Sequence, residues 1–585
     1  MKIEQIKIEN YKEEVSNQSE QIIASNVGDT LNIEIDNIEK ISTIIGQNDC
    51  GKSNICDAIL KVLDFEQRKK PFLESDSTMA NKKPIHIQIK LSVDDLTIDQ
   101  CAIIREYIHK DSNNNKYVIV RLKSTYNNEI LEYEDSLYIG DPKLDEIEVQ
   151  PYRQNALDKI LSVIYINPSY NKEKEQKNFF SFKEEINKER EKMFSNKIED
   201  RLNELKNDIQ EEDNIQEMQT EINQQGKFRE ILDGIKFEIV PNIRMNSIYK
   251  SLDIVTLNEN GTELNNIGDG KNKIFSMLLK NKTYDNEKKK IYIVEEPENH
   301  LYVLLQRYYV EALMSLNPDQ LLITTHSPYI IDFEKNNQII KVDYNSKNSF
   351  RNILKYSINN ESFQKLGYLI NAEVAEMLYY NNVLLVEGES EKYFYNLLLI
   401  KDEKFHEFIV KNKFGIFAVN GIAFEPIKKM LEALGVNVFI KTDNDIFPVQ
   451  NKKNVYRYAG LERCIKYIKE ETKNKLKKLL GWEDFDKEKF RFEGEDTKII
   501  NIESKIHQIS KILFEDNILF SVHNEGFEKD FLDYIGYDKL KYNNAFNFLK
   551  KAKLKNLHEF ICENSIDICI NNNDKNSILV RFMNE

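Results

Sequence analysis

The chain has 585 residues, 41% of them apolar and 31% charged, which is too long for one core and calls for two or three domains. Lys and Arg number 82 against 97 Asp and Glu, a net charge of −15, so the overall field repels a polyanion and any nucleic-acid contact must rest on local basic patches and bound metal. No uninterrupted apolar run nears the roughly 20 residues that span a bilayer, the start MKIEQIKIENYKE has no apolar signal core, and the 6 cysteines form no CxxC pair; no membrane, no zinc site and a cytoplasmic location with reduced thiols are expected.

Ile3, Ile6 and Ile8, then Leu31, Ile33 and Ile35, alternate as an opening hairpin would. A strand at Ile41 to Ile45 follows and ends in Gly46-Gln47-Asn48-Asp49-Cys50-Gly51-Lys52-Ser53, a full GxxxxGKS phosphate loop with a helix after it. Backbone N–H groups of such a loop face phosphates, the lysine reaches the outer phosphates and the serine hydroxyl serves Mg²⁺. Gly46, Asn48, Asp49, Gly51, Lys52 and Ser53 are therefore the candidate ATP contacts, with Ser53 also a metal ligand.

From Ile85 to about Tyr165 the chain is strand-rich. Beyond Asn171, Phe182, Ile186, Met193, Ile198, Leu202, Leu205 and Ile209 recur at helical spacings in a highly charged segment. So narrow a seam predicts a helical arm, about 170–232, inserted in the first domain and serving as a partner surface. Gly268-Asp269-Gly270 then precedes a helix.

The buried strand Ile291 to Val294 runs into Glu295-Glu296-Pro297-Glu298, and Leu321 to Thr325 delivers His326-Ser327-Pro328. Two adjacent carboxylates at a strand end can divide the work, Glu295 toward the Mg²⁺ shell and Glu296 toward the attacking water. His326 would contact the γ-phosphate. Residues 346–380 read as a connector.

The apolar run Val383 to Val386 ends in Glu387-Gly388-Glu389-Ser390-Glu391. Glu387 sits at the carboxyl end of a strand, where parallel sheets place ligands. Glu391, four residues on, either projects into the same crevice or satisfies the N-terminus of the helix that follows. A second such run, Val436 to Thr442, ends in Asp443-Asn444-Asp445, and a third, Asn517 to Val522, is followed by Glu525, Glu528 and Asp530. Carboxylates gathered from three strand ends repel one another unless divalent cations neutralise them, and hard oxygen donors suit Mg²⁺ or Mn²⁺. Between Lys452 and Lys478 ten basic residues, Arg457 and Arg463 among them, face three glutamates, a patch able to track phosphates. Lys551 and Lys553 stand in a further lysine cluster that could stabilise an anionic transition state.

Strand-E-G followed by strand-D-x-D resembles the Toprim domain. The Walker A loop, GDG loop, EEPE and TTHSP, in that order, resemble an ABC-type ATPase, although many such ATPases have Asp at the position of Glu295. The whole resembles the OLD (overcoming lysogenization defect) family of ATPase/Toprim nucleases, and within it the nuclease subunits of Gabija anti-phage systems, carried by IYIVEEPENHL, TTHSP, VLLVEGESEK, KTDND, YAGLERC and KKAKLKN. The resemblance implies an α/β fold: an ABC-type (SMC/RecF-like) P-loop ATPase domain over 1–345 with the helical dimerisation arm, then a C-terminal Toprim nuclease domain over 381–585. It implies an endonuclease that nicks or cleaves double-stranded DNA using Mg²⁺ or Mn²⁺, controlled by ATP binding and acting in anti-phage defence. Glu387, Asp443 and Asp445 become the metal-binding catalytic carboxylates, with Glu391 as an addition, Lys553 the basic residue, and Glu525 or Glu528 the carboxylate that completes the site. It also implies a homo-oligomer, dimer or tetramer, and a UvrD-like helicase subunit as partner. The alternatives are a stand-alone OLD nuclease in DNA processing or repair, an ATP-dependent DNA-binding scaffold without nuclease activity, and a topoisomerase-like enzyme.

Overall fold

Strands buried on both faces need continuous apolar runs, and strands with one wet face need alternation. Both patterns organise the fold. The computed structural model describes residues 1–13, 30–47, 50–73, 83–166, 204, 207–224, 235–241, 252–257, 270, 274, 288–331, 338–344, 351–358, 372–419, 424–450, 452–493, 497–521, 527–534, 542–551, 553–563 and 582–583. The chain divides into two units, Met1–Ile358 and Asn359–Glu585.

In the first unit, β1 (Lys2–Glu13) pairs antiparallel with β2 (Thr30–Ile35) and with β4 (Ile85–Ser92). The sheet continues through β6 (Lys116–Asn127), β7 (Glu132–Ile139) and β8 (Ile147–Val149), with the short β5 (His109–Lys110) on β6. Its alternating strands bury one face, Ile3, Ile6, Ile85, Ile87 and Ile89 among them, against the helix Lys52–Leu63. A second sheet has the order β15-β14-β3-β13-β12-β9, built from β3 (Ile41–Gly46), β9 (Leu161–Ile166), β12 (Lys289–Glu295), β13 (Gln320–Thr324), β14 (Gln338–Tyr344) and β15 (Arg351–Ser357). All its pairings are parallel except β14 with β15. A separate hairpin joins β10 (Lys236–Pro241) and β11 (Leu252–Leu257).

Two differences from the sequence reading stand out. The stretch expected to connect the domains, 346–380, includes β15, and the first unit runs to Ile358; RNILKYS is an edge strand whose mixed polarity hides its pairing. Of the expected arm, 170–203 and 225–232 lie outside the described residues, and Asp213–Gln224 is helical. The GDG turn also falls outside them, except Gly270.

The second unit has a parallel sheet of order β17-β16-β18-β22, made of β16 (Asn382–Val386), β17 (Phe414–Ala418), β18 (Asn437–Thr442) and β22 (Ile518–Phe520). Helices Glu389–Lys401 and Phe424–Ala433 make the crossovers, as a βαβ arrangement requires. After β18 the chain leaves the sheet as β19 (Ile446–Pro448) and β20 (Val455–Tyr458), which pair antiparallel and are joined by β21 (Arg491–Glu493). This small sheet is not legible in the sequence, because its strands are too short for periodicity to register.

Candidate active site

In the first unit the candidate residues leave three neighbouring parallel strands, β3, β13 and β12, at their carboxyl ends. Gly46 closes β3 with no room for a side chain, since a Cβ there would lie 2.4 Å from the Val342 carbonyl oxygen. Gly51 then takes φ 100, a left-handed turn that starts the helix Lys52–Leu63. Lys52 is buried, and its ammonium donates to the carbonyls of Gln47 at 3.0 Å and Gly46 at 3.3 Å. Ser53 is exposed, and Asn48 and Asp49 lie outside the described residues.

Glu295 ends β12 and accepts a hydrogen bond from the Tyr165 hydroxyl at 2.5 Å. Burial and this carboxylate push the Tyr165 phenol well above its usual range. Glu296 turns the chain at φ 42, held by its N–H to the Thr324 carbonyl at 2.9 Å. The His326 Nε2 lies 3.6 Å from the Glu296 carboxylate. A residue the sequence reading passes over orders this corner. Glu298 accepts from the His326 amide at 2.6 Å and from the Thr325 hydroxyl at 2.8 Å, and its own pKa is raised chiefly by burial. Walker lysine, paired glutamates and histidine thus share one sheet edge, the arrangement for binding a nucleotide's phosphates at a helix N-terminus.

In the second unit Glu387 and the Asp443–Asp445 turn leave adjacent strands, β16 and β18. Glu387 Oε1 accepts from the Thr442 hydroxyl at 2.6 Å, the Asp443 amide at 3.1 Å and the Arg463 guanidinium at 3.0 Å. Burial raises the Glu387 pKa, Arg463 opposes this, and Asp443 adds to it. Asp443 accepts from Lys441 and Ser521 at 3.1 Å each and from the Phe527 amide at 3.0 Å. Burial works to raise it, but the Lys441 ammonium and these hydrogen bonds outweigh burial and hold Asp443 below the usual carboxylate value. Asp445 accepts from Arg463 at 2.7 Å.

Glu391 takes the capping role. Its Oε2 accepts from the amides of Glu387 at 2.7 Å and Gly388 at 3.3 Å, fixing the turn, while burial and the neighbouring carboxylates push its pKa up to about 8. Glu528 is buried on the helix Phe527–Tyr534, whose first amide binds Asp443. Glu525 lies outside the described residues, as do the side chains of Asp530 and Lys553; Lys553 opens the helix Lys553–Glu563.

Two cations brace these carboxylates. Lys441, inside the buried strand β18, also meets Ser521 and stands 3.9 Å from Glu391. Arg463 lies on the helix Ala459–Cys464, which is pressed onto the acidic turn so closely that a Cβ at Gly460 would sit 2.1 Å from the Asp443 carbonyl oxygen.

The donors fit a divalent cation by their chemistry, since all are hard oxygens. The buried oxygens Glu391 Oε1 and Asn444 Oδ1 have no hydrogen-bond partner among the described residues. A Cβ on Gly388 would meet nothing within 4 Å, so there is space beside the turn. Yet among the described residues no group of three or more His, Cys, Asp or Glu stands arranged to hold an ion, and the carboxylates pair with Lys441 and Arg463.

Comparison with known proteins follows the same division. Residues 1–331 match the AAA ATPase domain family, and residues 378–445 match the TOPRIM domain of overcoming lysogenization defect protein-like proteins. The chain is 26% identical over 567 residues to Endonuclease GajA of Bacillus cereus (strain VD045), covering 92% of this chain and 94% of that one. Among solved structures, an SMC head bound to the C-winged helix domain of ScpA is 14% identical and covers 62% of this chain and 100% of that one, at a TM-score of 0.39. The SMC head domain from Thermotoga maritima is 11% identical, covering 61% of this chain and 100% of that one, at 0.31. The P-loop strand ends, and the strand ends that carry Glu387 and Asp443–Asp445, fall within the matched segments, and the chain belongs to the AAA ATPase domain family, joined to an overcoming lysogenization defect protein-like TOPRIM domain.

Proposed function

We propose that the chain is an endonuclease that cleaves double-stranded DNA with Mg²⁺ or Mn²⁺ and is controlled by ATP binding to its first unit. The observation that carries this is the meeting of Glu387 with Asp443 and Asp445 at the ends of adjacent parallel strands, inside a Toprim segment of a chain similar to an endonuclease. Glu387, Asp443 and Asp445 would hold the cations, with Glu391 and either Glu525 or Glu528 as further carboxylates. Bound there, a divalent ion supplies the Lewis acidity that activates water and stabilises a leaving 3′-oxygen. The chain's own residues prepare for this. Thr442 orients Glu387, and Ser521 and the Phe527 amide fix Asp443; the resemblance assigns Lys553 as the basic group for the scissile phosphate.

ATP would lie on the 46–53 loop, with Ser53 and Glu295 toward its Mg²⁺, Glu296 toward the attacking water and His326 toward the γ-phosphate. The Lys52 ammonium, now satisfied by loop carbonyls, would exchange them for phosphate oxygens. Lys52→Ala is expected to weaken ATP binding about a hundredfold, the scale of losing one partner of a buried charge pair, with Mn²⁺ binding by the second unit unchanged. Equilibrium binding of a fluorescent ATP analogue measures this, and unchanged affinity sinks the phosphate-loop assignment.

DNA binding falls to the small sheet beside the acidic turn. Its β19–β20 hairpin exposes Lys452, Lys453 and Arg457 together with Phe447 and Tyr456. Gln at all three basic positions is expected to lower the slope of log affinity against log salt by up to about 3 for duplex DNA, about 0.9 for each phosphate that is no longer neutralised. An unchanged slope would place DNA elsewhere. A homo-oligomeric state, a UvrD-like helicase partner and a role in anti-phage defence complete the proposal, each supported by the Gabija resemblance; co-purification from the native host tests the helicase.

A further inference from the structure

We infer that Arg463 is a built-in counter-ion that occupies the cation position between Glu387 and Asp445 and is displaced when a divalent metal binds. A single nitrogen, Nη2, donates to Glu387 Oε1 at 3.0 Å, Asp445 Oδ2 at 2.7 Å and the Asp443 carbonyl at 3.4 Å. Three oxygens from two strand ends thus converge on one positively charged atom. All three are hard oxygen donors, the kind a divalent ion would take in place of the guanidinium. Arg463 is largely buried, and without it two like charges would stand in one half-buried site with no counter-charge between them.

Beyond these contacts little holds the arginine: its Nε is buried with no hydrogen-bond partner among the described residues. The backbone beneath it is the opposite: the Gly460 amide donates to the Asp445 carbonyl at 3.2 Å, and no side chain fits between helix and turn. A rigid base with a guanidinium held mainly by the carboxylates suits a side chain that keeps the site assembled without metal and swings aside when metal arrives. Released, its planar fork remains beside the site, where it matches the geometry of a phosphodiester oxygen pair. Lys441 is different, since it lies inside β18 and pairs with Asp443 there.

This inference rests on the metal-site reading above, and its test separates the two. Mn²⁺ binding to the full-length protein without nucleotide is measured by titration calorimetry at pH 8 for wild type, Arg463→Met, Arg463→Lys and Asp445→Asn, with melting temperatures in EDTA. A removed competitor makes binding tighter, so Arg463→Met is expected to bind Mn²⁺ about tenfold more tightly than wild type, with Arg463→Lys between them. In EDTA the order of melting temperatures reverses, because the carboxylates lose their counter-ion. Equal or weaker Mn²⁺ binding by Arg463→Met, or by Arg463→Lys should the methionine variant not fold, overturns the counter-ion role while weakened binding by Asp445→Asn leaves the metal site standing. Should Asp445→Asn bind as wild type does, the metal site itself falls, and the counter-ion role with it.

Discussion

Glu387→Gln is expected to lower DNA cleavage by at least about a thousandfold, the scale of removing a charged group that acts directly on the reacting centre. The substitution keeps the shape and keeps an oxygen to accept from Thr442 and the Asp443 amide. What it removes is the negative charge that would hold a cation and that now pairs with Arg463. Because Arg463 retains Asp445 as a partner, the fold should survive, and an unchanged circular-dichroism melt would confirm that the loss is chemical. Cleavage within tenfold of wild type would remove Glu387 from the reaction.

The largest stability effect is expected at Lys441. It is 3% exposed, and it pairs with Asp443 while lying against Glu391 and Ser521. Lys441→Met leaves the ionised Asp443 buried without its counter-charge, a change that costs about 3–5 kcal/mol in comparable sites. Adding Asp443→Asn removes the stranded charge and should recover most of the stability. A denaturant melt of the second unit's transition in the single and double variants decides this. If the double variant is no more stable than Lys441→Met, the ion pair is not what holds this end of β18 against its neighbours.

The strand ends that carry the candidate site are legible because parallel strands, buried on both faces, read as unbroken apolar runs: Val383 to Val386 and Val436 to Thr442 end where Glu387 and Asp443 begin. Likewise GxxxxGKS, EEPE and TTHSP each follow such a run, which is why β3, β12 and β13 can be anticipated from spacing. The cations are harder. Lys441 sits in VNVFIKT as one charge in an apolar run, and an inward-pointing charge in a buried strand is itself the signal of an ion pair. Arg463 falls within the basic run from Lys452 to Lys478 and reads as phosphate-facing; it faces carboxylates because Gly460 lets its helix fold back onto the acidic turn. For Glu391 the two readings are equal in the sequence, since one turn of helix brings its carboxylate to the turn amides as readily as to the crevice. Glu298 has no pattern of its own, and its hold on His326 follows only from the meeting of β12 and β13.

The central claim is metal-dependent cleavage by the second unit, and the most direct test is incubation of purified wild-type protein with supercoiled plasmid in Mg²⁺, in Mn²⁺ and in EDTA, each with and without ATP, beside Glu387→Gln. Nicked or linear product from wild type in Mg²⁺ or Mn²⁺, absent in EDTA and absent for Glu387→Gln, is the expected result, and the ATP arms give the sign of control by the first unit. Cleavage that persists in EDTA or in Glu387→Gln, or no cleavage by wild type in any arm, would contradict it.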